Sequence, residues 1–170
     1  MLTTSEMGVV TVFNSICSLL FPIMTLSVTA GTLQIGLAEY KECRDEYSAE
    51  TLIISTITTL ITGILLVVFR KTICSFCHIG FGMLLLIVLY SLFYAALDIW
   101  YTRARYEHRY ISYTFVSVSI AFISTIISVV CVIFFSEKAG YNLGIIKVIS
   151  QNVVIIAGAM VAYVHIIFNR

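Results

Sequence analysis

The chain has 170 residues, of which 60% are hydrophobic and only 11% are charged, and its mean hydropathy is +1.03. Soluble domains are about 45–50% apolar and about 25% charged, so a water-soluble fold of this length could not bury so much apolar surface. Ten Lys and Arg against nine Asp and Glu leave a net charge of +1, which gives no basis for binding nucleic acid. The sequence therefore predicts an integral membrane protein.

Five apolar stretches are long enough to cross a bilayer as helices, which takes about 20 residues for about 30 Å of hydrocarbon. Short connections that carry nearly all the charge join them, with no linker or soluble domain between. We therefore expect an all-α integral membrane protein, a bundle of five transmembrane helices in a single domain over residues 1–170. Four spans plus one re-entrant or membrane-surface segment is the alternative. The predicted spans are Gly8–Ala38, Thr51–Phe69, Ile79–Tyr101, Ile111–Phe135 and Gly144–Phe168.

The first stretch, of about 30 residues, is longer than the hydrocarbon requires. It must tilt, kink or project from the membrane, and Pro22 is a natural kink site. Small or polar residues recur along it at alternating steps of three and four, which places them in one seam of a single helix that continues across Pro22. This seam consists of Thr11, Ser15, Ser18, Pro22, Thr25, Thr29, Thr32 and Gly36.

Other predicted helices carry similar arrangements of small residues. Helices in lipid associate through close packing and interhelical hydrogen bonds, so small and hydroxyl residues predict contact faces; a hydrated path lined by hydroxyls is the alternative. In the second predicted span (segment two, with the spans numbered in chain order), Thr51, Ser55, Thr58 and Thr62 also align. We attribute this alignment to chance, because the chain is rich in Ser and Thr. The predicted contact residues of segments four and five are Ser117, Ala121, Ser124, Ser128, Gly158 and Ala162.

Three polar residues inside the apolar stretches, Asp98, Gln151 and His165, form a candidate intramembrane polar site, because such side chains are costly in lipid and often functional. Asp98 lies about one turn inside the end of its span, where we expect it to pair with Arg103 or to reach water. His165 shares a helix face with Gln151. We expect a neutral imidazole bonded to a neighbouring helix, with a proton relay as the alternative.

The connection after segment two contains Cys74, Cys77 and His78 in the C-x-x-C-H pattern of c-type haem attachment. The connection is short and has no surrounding fold that could enclose a haem. We therefore expect neither a cofactor nor a metal here, and regard the two cysteines as small residues at a helix–water boundary. Their reversible S-palmitoylation is an alternative.

The sequence contains no hydrolase, metalloprotease or phosphate-loop motif, and no carboxylate pair is helix-spaced within the spans. It therefore predicts a non-enzymatic multi-pass membrane protein that acts through helix packing, as a scaffold or an accessory subunit of a membrane complex. Its partners would be the lipid bilayer and other transmembrane helices, in a homo-oligomer or a hetero-complex. A small transporter or channel with a hydroxyl-lined path that uses Gln151, Asn152 and His165 is the alternative. A haem-bearing redox subunit is a further alternative.

Overall fold

The computed structural model describes residues 3–28, 31–40, 43–77, 80–136 and 142–168. Within these ranges the chain forms seven helices, and the five longer ones are long and apolar enough to cross a membrane. The predicted all-helical fold with five long apolar helices is thus confirmed, and their composition suggests a multi-pass membrane protein. The helices are α1 (Thr4–Met24), α2 (Thr32–Glu39), α3 (Arg44–Val68), α4 (Arg70–Cys77), α5 (Phe81–Tyr106), α6 (Tyr110–Ser136) and α7 (Leu143–Phe168).

The α5 helix is the centre of the bundle, since it packs against every other helix and is the most buried of the five candidate spans. Its buried residues Leu84 and Ile87 form an apolar cluster with Phe13 of α1 and Val148 of α7. The α6 helix lies at the edge, mainly against α7, and most of its surface is exposed. Such apolar exposure suits a helix that faces lipid.

The first predicted span is not the single helix expected over residues 8–38. The α1 helix continues two residues beyond Pro22, ends at Met24, and a separate helix begins at Thr32. Between them, Leu26 and Ser27 adopt left-handed backbone with φ of 53° and 49°, a conformation that no α-helix can include. The predicted seam is therefore interrupted. The regular spacing of small residues in a sequence does not determine the backbone angles between them.

The break between α1 and α2 lies at the middle of the bundle. Phe21 in the last turn of α1 packs edge-on against Tyr94, near the midpoint of α5, with ring centroids 5.2 Å apart. Thr59, in the interior of α3, donates a 3.3 Å hydrogen bond from Oγ1 to the carbonyl oxygen of Met24. Backbone polar groups at membrane depth must find partners inside the protein, and Thr59 supplies one for the end of α1.

Small and hydroxyl residues make up most of the buried surface of α3, which includes Thr51 and Ser55 of the predicted alignment. A Cβ added at Gly63 would lie 2.7 Å from Cγ1 of Val88, so α3 and α5 are in close contact there. Thr58 and Thr62 of the predicted alignment are only half-buried. The residues that the bundle buries on this face are Ser48, Thr51, Ser55, Thr59 and Gly63.

The contact at Gly63 leads to a stability prediction. Gly63→Ala should destabilise the protein, since overpacking costs about 1–3 kcal/mol against the roughly 1 kcal/mol that alanine gains over glycine in a helix. Val88 is β-branched and cannot swing aside easily. Thermal unfolding in detergent, followed by the fluorescence of the single tryptophan, Trp100, measures the effect.

Gly82→Ala is the matched control for this change, because a Cβ at Gly82 would contact nothing within 4 Å. It should leave the unfolding temperature unchanged or raise it. Adding Val88→Ala to Gly63→Ala should restore stability. Equal effects of the two glycine substitutions would contradict close packing at Gly63.

The predicted contact residues of α6 and α7 are only partly used inside the bundle. Ser124 and Ser128 are buried, whereas Ala121 is exposed and Ser117 is half-buried. On α7, Ala162 is buried in an apolar cluster. Gly158 faces α6, where an added Cβ would lie 2.9 Å from Cδ1 of Ile120.

Candidate functional site

A polar cleft of about 370 Å³ lies between α1, α5 and α7, next to the last turns of α1. Phe13, Cys17, Phe21 and Ile155 form its apolar walls. Six polar side chains also line it, two from each helix, namely Asn14, Ser18, Tyr90, Tyr94, Gln151 and Asn152. The cleft therefore offers amide and hydroxyl groups between otherwise apolar helices, with Asn14 and Ser18 exposed at its edge.

The α1 helix places its two polar residues beside its buried face. Phe13 and Cys17 of this face pack into the core, while Asn14 and Ser18, one turn apart, lie at the edge of the cleft. Ser18 Oγ donates to the backbone carbonyl of Asn14 at 2.9 Å. The Asn14 amide has no hydrogen-bond partner among the described residues.

The α5 helix contributes two tyrosines one turn apart. The rings of Tyr90 and Tyr94 stack at 4.9 Å with an interplanar angle of 16°, and Phe21 packs edge-on against Tyr94. Such stacking restricts the rings and therefore the positions of their hydroxyl groups. The two tyrosines form a rigid wall opposite the amides of α1 and α7.

The α7 helix contributes two amides that differ in their surroundings. Asn152 is buried, and its Nδ2 donates a 2.7 Å hydrogen bond to the carbonyl of Val148 in the preceding turn. Gln151 is half-buried, and its amide has no hydrogen-bond partner within the described ranges. An unpaired amide in apolar surroundings costs free energy, so Gln151 is suited to bind water or a polar solute.

The three residues of the predicted intramembrane site do not form one cluster. Gln151 lines the cleft, but His165 lines a separate cavity of about 430 Å³ near the end of α7, together with Glu107 and Arg109. Asp98 lies one turn beyond Tyr94 on α5 and is half-buried. A shared helix face does not imply a shared depth, since 14 residues separate Gln151 from His165, about 21 Å along a helix.

Arg103 does not form the pair with Asp98 that the sequence predicts. Its guanidinium bridges Asp45 at the start of α3 and Glu107 just after α5, with Nε 2.7 Å from the Glu107 carboxylate. The reason is geometric. Glu107 is four residues from Arg103, on the same helix face, whereas Asp98 is five residues away and on a different face.

The C-x-x-C-H segment falls largely outside the described part of the chain. Cys74 and Cys77 belong to α4, but their side chains are not described, and His78 lies outside the described residues. Elsewhere in the described chain, no three His, Cys, Asp or Glu side chains come together in a group that could hold a metal ion. The haem and palmitoylation alternatives therefore stay predictions.

Asn14, Tyr90 and Tyr94 are the cleft residues that the sequence reasoning missed. An asparagine within an apolar span is itself a signal, because an amide in lipid needs a partner. The two tyrosines carry the weaker signal of an i, i+4 aromatic pair. Their convergence on Gln151 follows only from the packing of α1 and α5 against α7.

Comparison with protein-family models, with characterised proteins and with solved structures finds no match for this chain.

Proposed function

We propose that this protein is a small transporter or channel that carries small, neutral, polar solutes through the cleft between α1, α5 and α7. The break in the first transmembrane segment, at the middle of the bundle and beside this cleft, is the observation that carries the proposal. Phe21, in the last turn of α1 before the break, is part of the cleft wall.

A broken helix at membrane depth supports a transport function on physical grounds. Irregular backbone is tolerated within a bilayer only where it is enclosed by protein or lines a cavity, and transporters use discontinuous helices of this kind at their binding sites. Left-handed backbone at Leu26 and Ser27 costs about 1–2 kcal/mol per residue. Strain of this size persists where the surrounding structure holds it, and it is common at functional sites.

The cleft favours a neutral solute. None of the described residues that line it is an Asp, Glu, Lys, Arg or His, so an ion in the cleft would lose its hydration without gaining a countercharge from them. Amides and hydroxyls both donate and accept hydrogen bonds, which suits a solute with amide or hydroxyl groups. A volume of about 370 Å³ lies near the lower end of the size range of ligand pockets.

Solute flux into proteoliposomes tests the proposal. Urea and glycerol serve as probes, and stopped-flow light scattering follows the change in vesicle volume after mixing with each solute. Vesicles that contain the protein should admit at least one of the two faster than protein-free vesicles of the same lipid. Equal rates for both solutes would count against transport of this solute class.

A second candidate function is that of a scaffold or accessory subunit that binds another transmembrane helix. Thr11, Ser15, Ser18 and Pro22 are all exposed on α1, and the hydroxyls of Thr11 and Ser18 bond to carbonyls of their own helix. Such a surface is smooth and has few unmet hydrogen bonds, as helix contacts in lipid require. This observation favours association through the outer face of α1.

Single-molecule photobleaching in lipid tests this second function. Wild-type protein should bleach in more than one step, and the pair Thr11→Leu and Ser15→Leu should shift it towards single steps, because leucine prevents close approach of the helices. Leu19→Val, an exposed position of α1 outside the seam, is the control and should change nothing. Single-step bleaching of the wild type would contradict self-association.

A further inference from the structure

The charged end of the bundle forms a further cavity, of about 910 Å³, which adjoins the cavity that His165 lines and shares Arg103, Glu107 and Arg109 with it. We infer that this cavity binds a phosphate group, supplied by the headgroup of an anionic phospholipid. The inference is independent of solute transport, because none of the cavity's lining residues is shared with the cleft.

The fold concentrates positive charge in this cavity. Arg44 at the start of α3 joins Arg103, Arg105 and Arg109 from the end of α5 and the connection after it. Among the described residues that line the cavity, four arginines against two carboxylates, those of Asp45 and Glu107, leave a surplus of two positive charges, with histidine taken as neutral. The sequence separates Arg44 from the other three arginines by a long interval, so the surplus arises only in the folded chain.

The two carboxylates are already engaged by one arginine. Arg103 contacts Asp45 through Nη1 and Glu107 through Nε, and Glu107 also lies 3.0 Å from Nε of Arg109, whose side chain is 70% exposed. Arg44 forms no ion pair among the described residues. Arg105 likewise forms no ion pair among the described residues and donates only to the neutral oxygens of Tyr101 and Thr102. Arg44, Arg105 and the exposed face of Arg109 are therefore the cations that remain for an anion.

Arg44 has an unpaired donor held in place. Its guanidinium lies over the ring of Tyr106, 5.1 Å from the centroid, which fixes the plane of the group. Its buried Nε has no hydrogen-bond partner in the described structure. Because Arg44 has no carboxylate partner among the described residues, its terminal nitrogens can make the two-point contact that arginine forms with a phosphate group.

The position of the cavity favours a lipid headgroup as the source of the phosphate. It lies where α5 ends and α6 begins, beside Trp100, Tyr101 and Tyr110. Tryptophan and tyrosine concentrate at the level of the lipid headgroups, and clusters of basic residues at that level attract anionic lipids.

Native mass spectrometry of the full chain tests the inference. In one experiment phosphatidylglycerol and phosphatidylcholine are supplied in equal amounts, and in a separate experiment inorganic phosphate is added instead. Wild-type protein should retain phosphatidylglycerol about tenfold over phosphatidylcholine. Arg44→Gln should remove most of this preference, and Arg44→Lys should keep only part of it because lysine lacks the two-point contact. Arg109→Gln, at an exposed position where folding is not at risk, should also lower it.

Arg70→Gln is the matched control, since Arg70 lies at the opposite end of the bundle over the ring of Phe81. It should leave lipid retention unchanged. Inorganic phosphate that binds with the same dependence on Arg44 would overturn the lipid as the source while supporting the phosphate site. Equal retention by wild type, Arg44→Gln and Arg109→Gln, or an equal loss in Arg70→Gln, would overturn the site.

Discussion

Gln151→Leu is expected to reduce the protein-dependent flux of urea or glycerol by roughly tenfold or more. Leucine has nearly the same size as glutamine but lacks the amide. Of the two α7 amides in the cleft, that of Gln151 is the one without a hydrogen-bond partner among the described residues. Losing hydrogen bonds to a solute in an apolar site costs about 1–3 kcal/mol, which corresponds to roughly 5- to 150-fold in affinity. Stopped-flow light scattering of proteoliposomes measures the change.

Asn14→Leu, on the facing helix, should lower the flux in the same way, because its amide also lines the cleft. Val161→Leu is the control, on the same helix as Gln151 but 72% exposed on the outer surface. It should leave the flux at the wild-type rate. Full flux in both amide variants would contradict the proposal that the solute passes through the cleft.

Thr59→Val is expected to destabilise the protein by about 2 to 3 kcal/mol, because it leaves the Met24 carbonyl without its hydrogen bond in apolar surroundings. Valine matches threonine in shape, so the change removes the hydroxyl and leaves packing intact. Thr59 is fully buried, which prevents water from replacing the lost partner. Chemical unfolding in mixed micelles gives the free energy of unfolding.

Thr59→Ser keeps the hydroxyl and should retain most of the stability that Thr59→Val loses. Thr58→Val provides the matched control on the same helix, since Thr58 bonds only to carbonyls of its own helix. It should change the free energy of unfolding by far less. A loss from Thr58→Val equal to that from Thr59→Val would contradict a structural role for the bond to Met24.

Helix positions could be predicted closely where the apolar stretch and the helix coincide. The predicted spans Ile111–Phe135 and Gly144–Phe168 differ by only a residue or so from α6 and α7. The predicted span Thr51–Phe69 covers only part of α3, because the helix also includes the charged residues from Arg44 onward. High hydropathy marks the part of a helix that is suited to contact lipid, and the helix can continue beyond that part.

The break after Met24 could not be predicted from the sequence. No glycine or proline marks Leu26 or Ser27, and the only local signal, Pro22, lies inside a helix that continues past it. A contact from another helix, the Thr59 hydroxyl, provides a partner for the end of α1. A tertiary contact of this kind produces no periodic pattern in the sequence from which it could be predicted.

The candidate site could be predicted only in part. Gln151 and Asn152 stand out because amides are costly within an apolar stretch. Gln151 and His165, which the sequence places on one helix face, line different cavities, and Asn14, Tyr90 and Tyr94 come from two other helices. The sequence identifies polar residues within spans, whereas helix packing decides which of them meet.

Reaction of engineered cysteines with a neutral, hydrophilic thiol reagent tests the central claim that a polar, water-accessible cleft lies beside the broken helix. The starting point is a chain whose native cysteines are replaced by alanine, and one cysteine is then introduced in each variant, as Asn14→Cys, Gln151→Cys or Val161→Cys. Each variant is treated in liposomes with hydroxyethyl methanethiosulfonate. Only a thiolate reacts, and thiolates form in water but not in lipid. The mass shift of the protein records the reaction. The account predicts modification at positions 14 and 151 and none at 161; protection at 14 and 151 equal to that at 161 would contradict it.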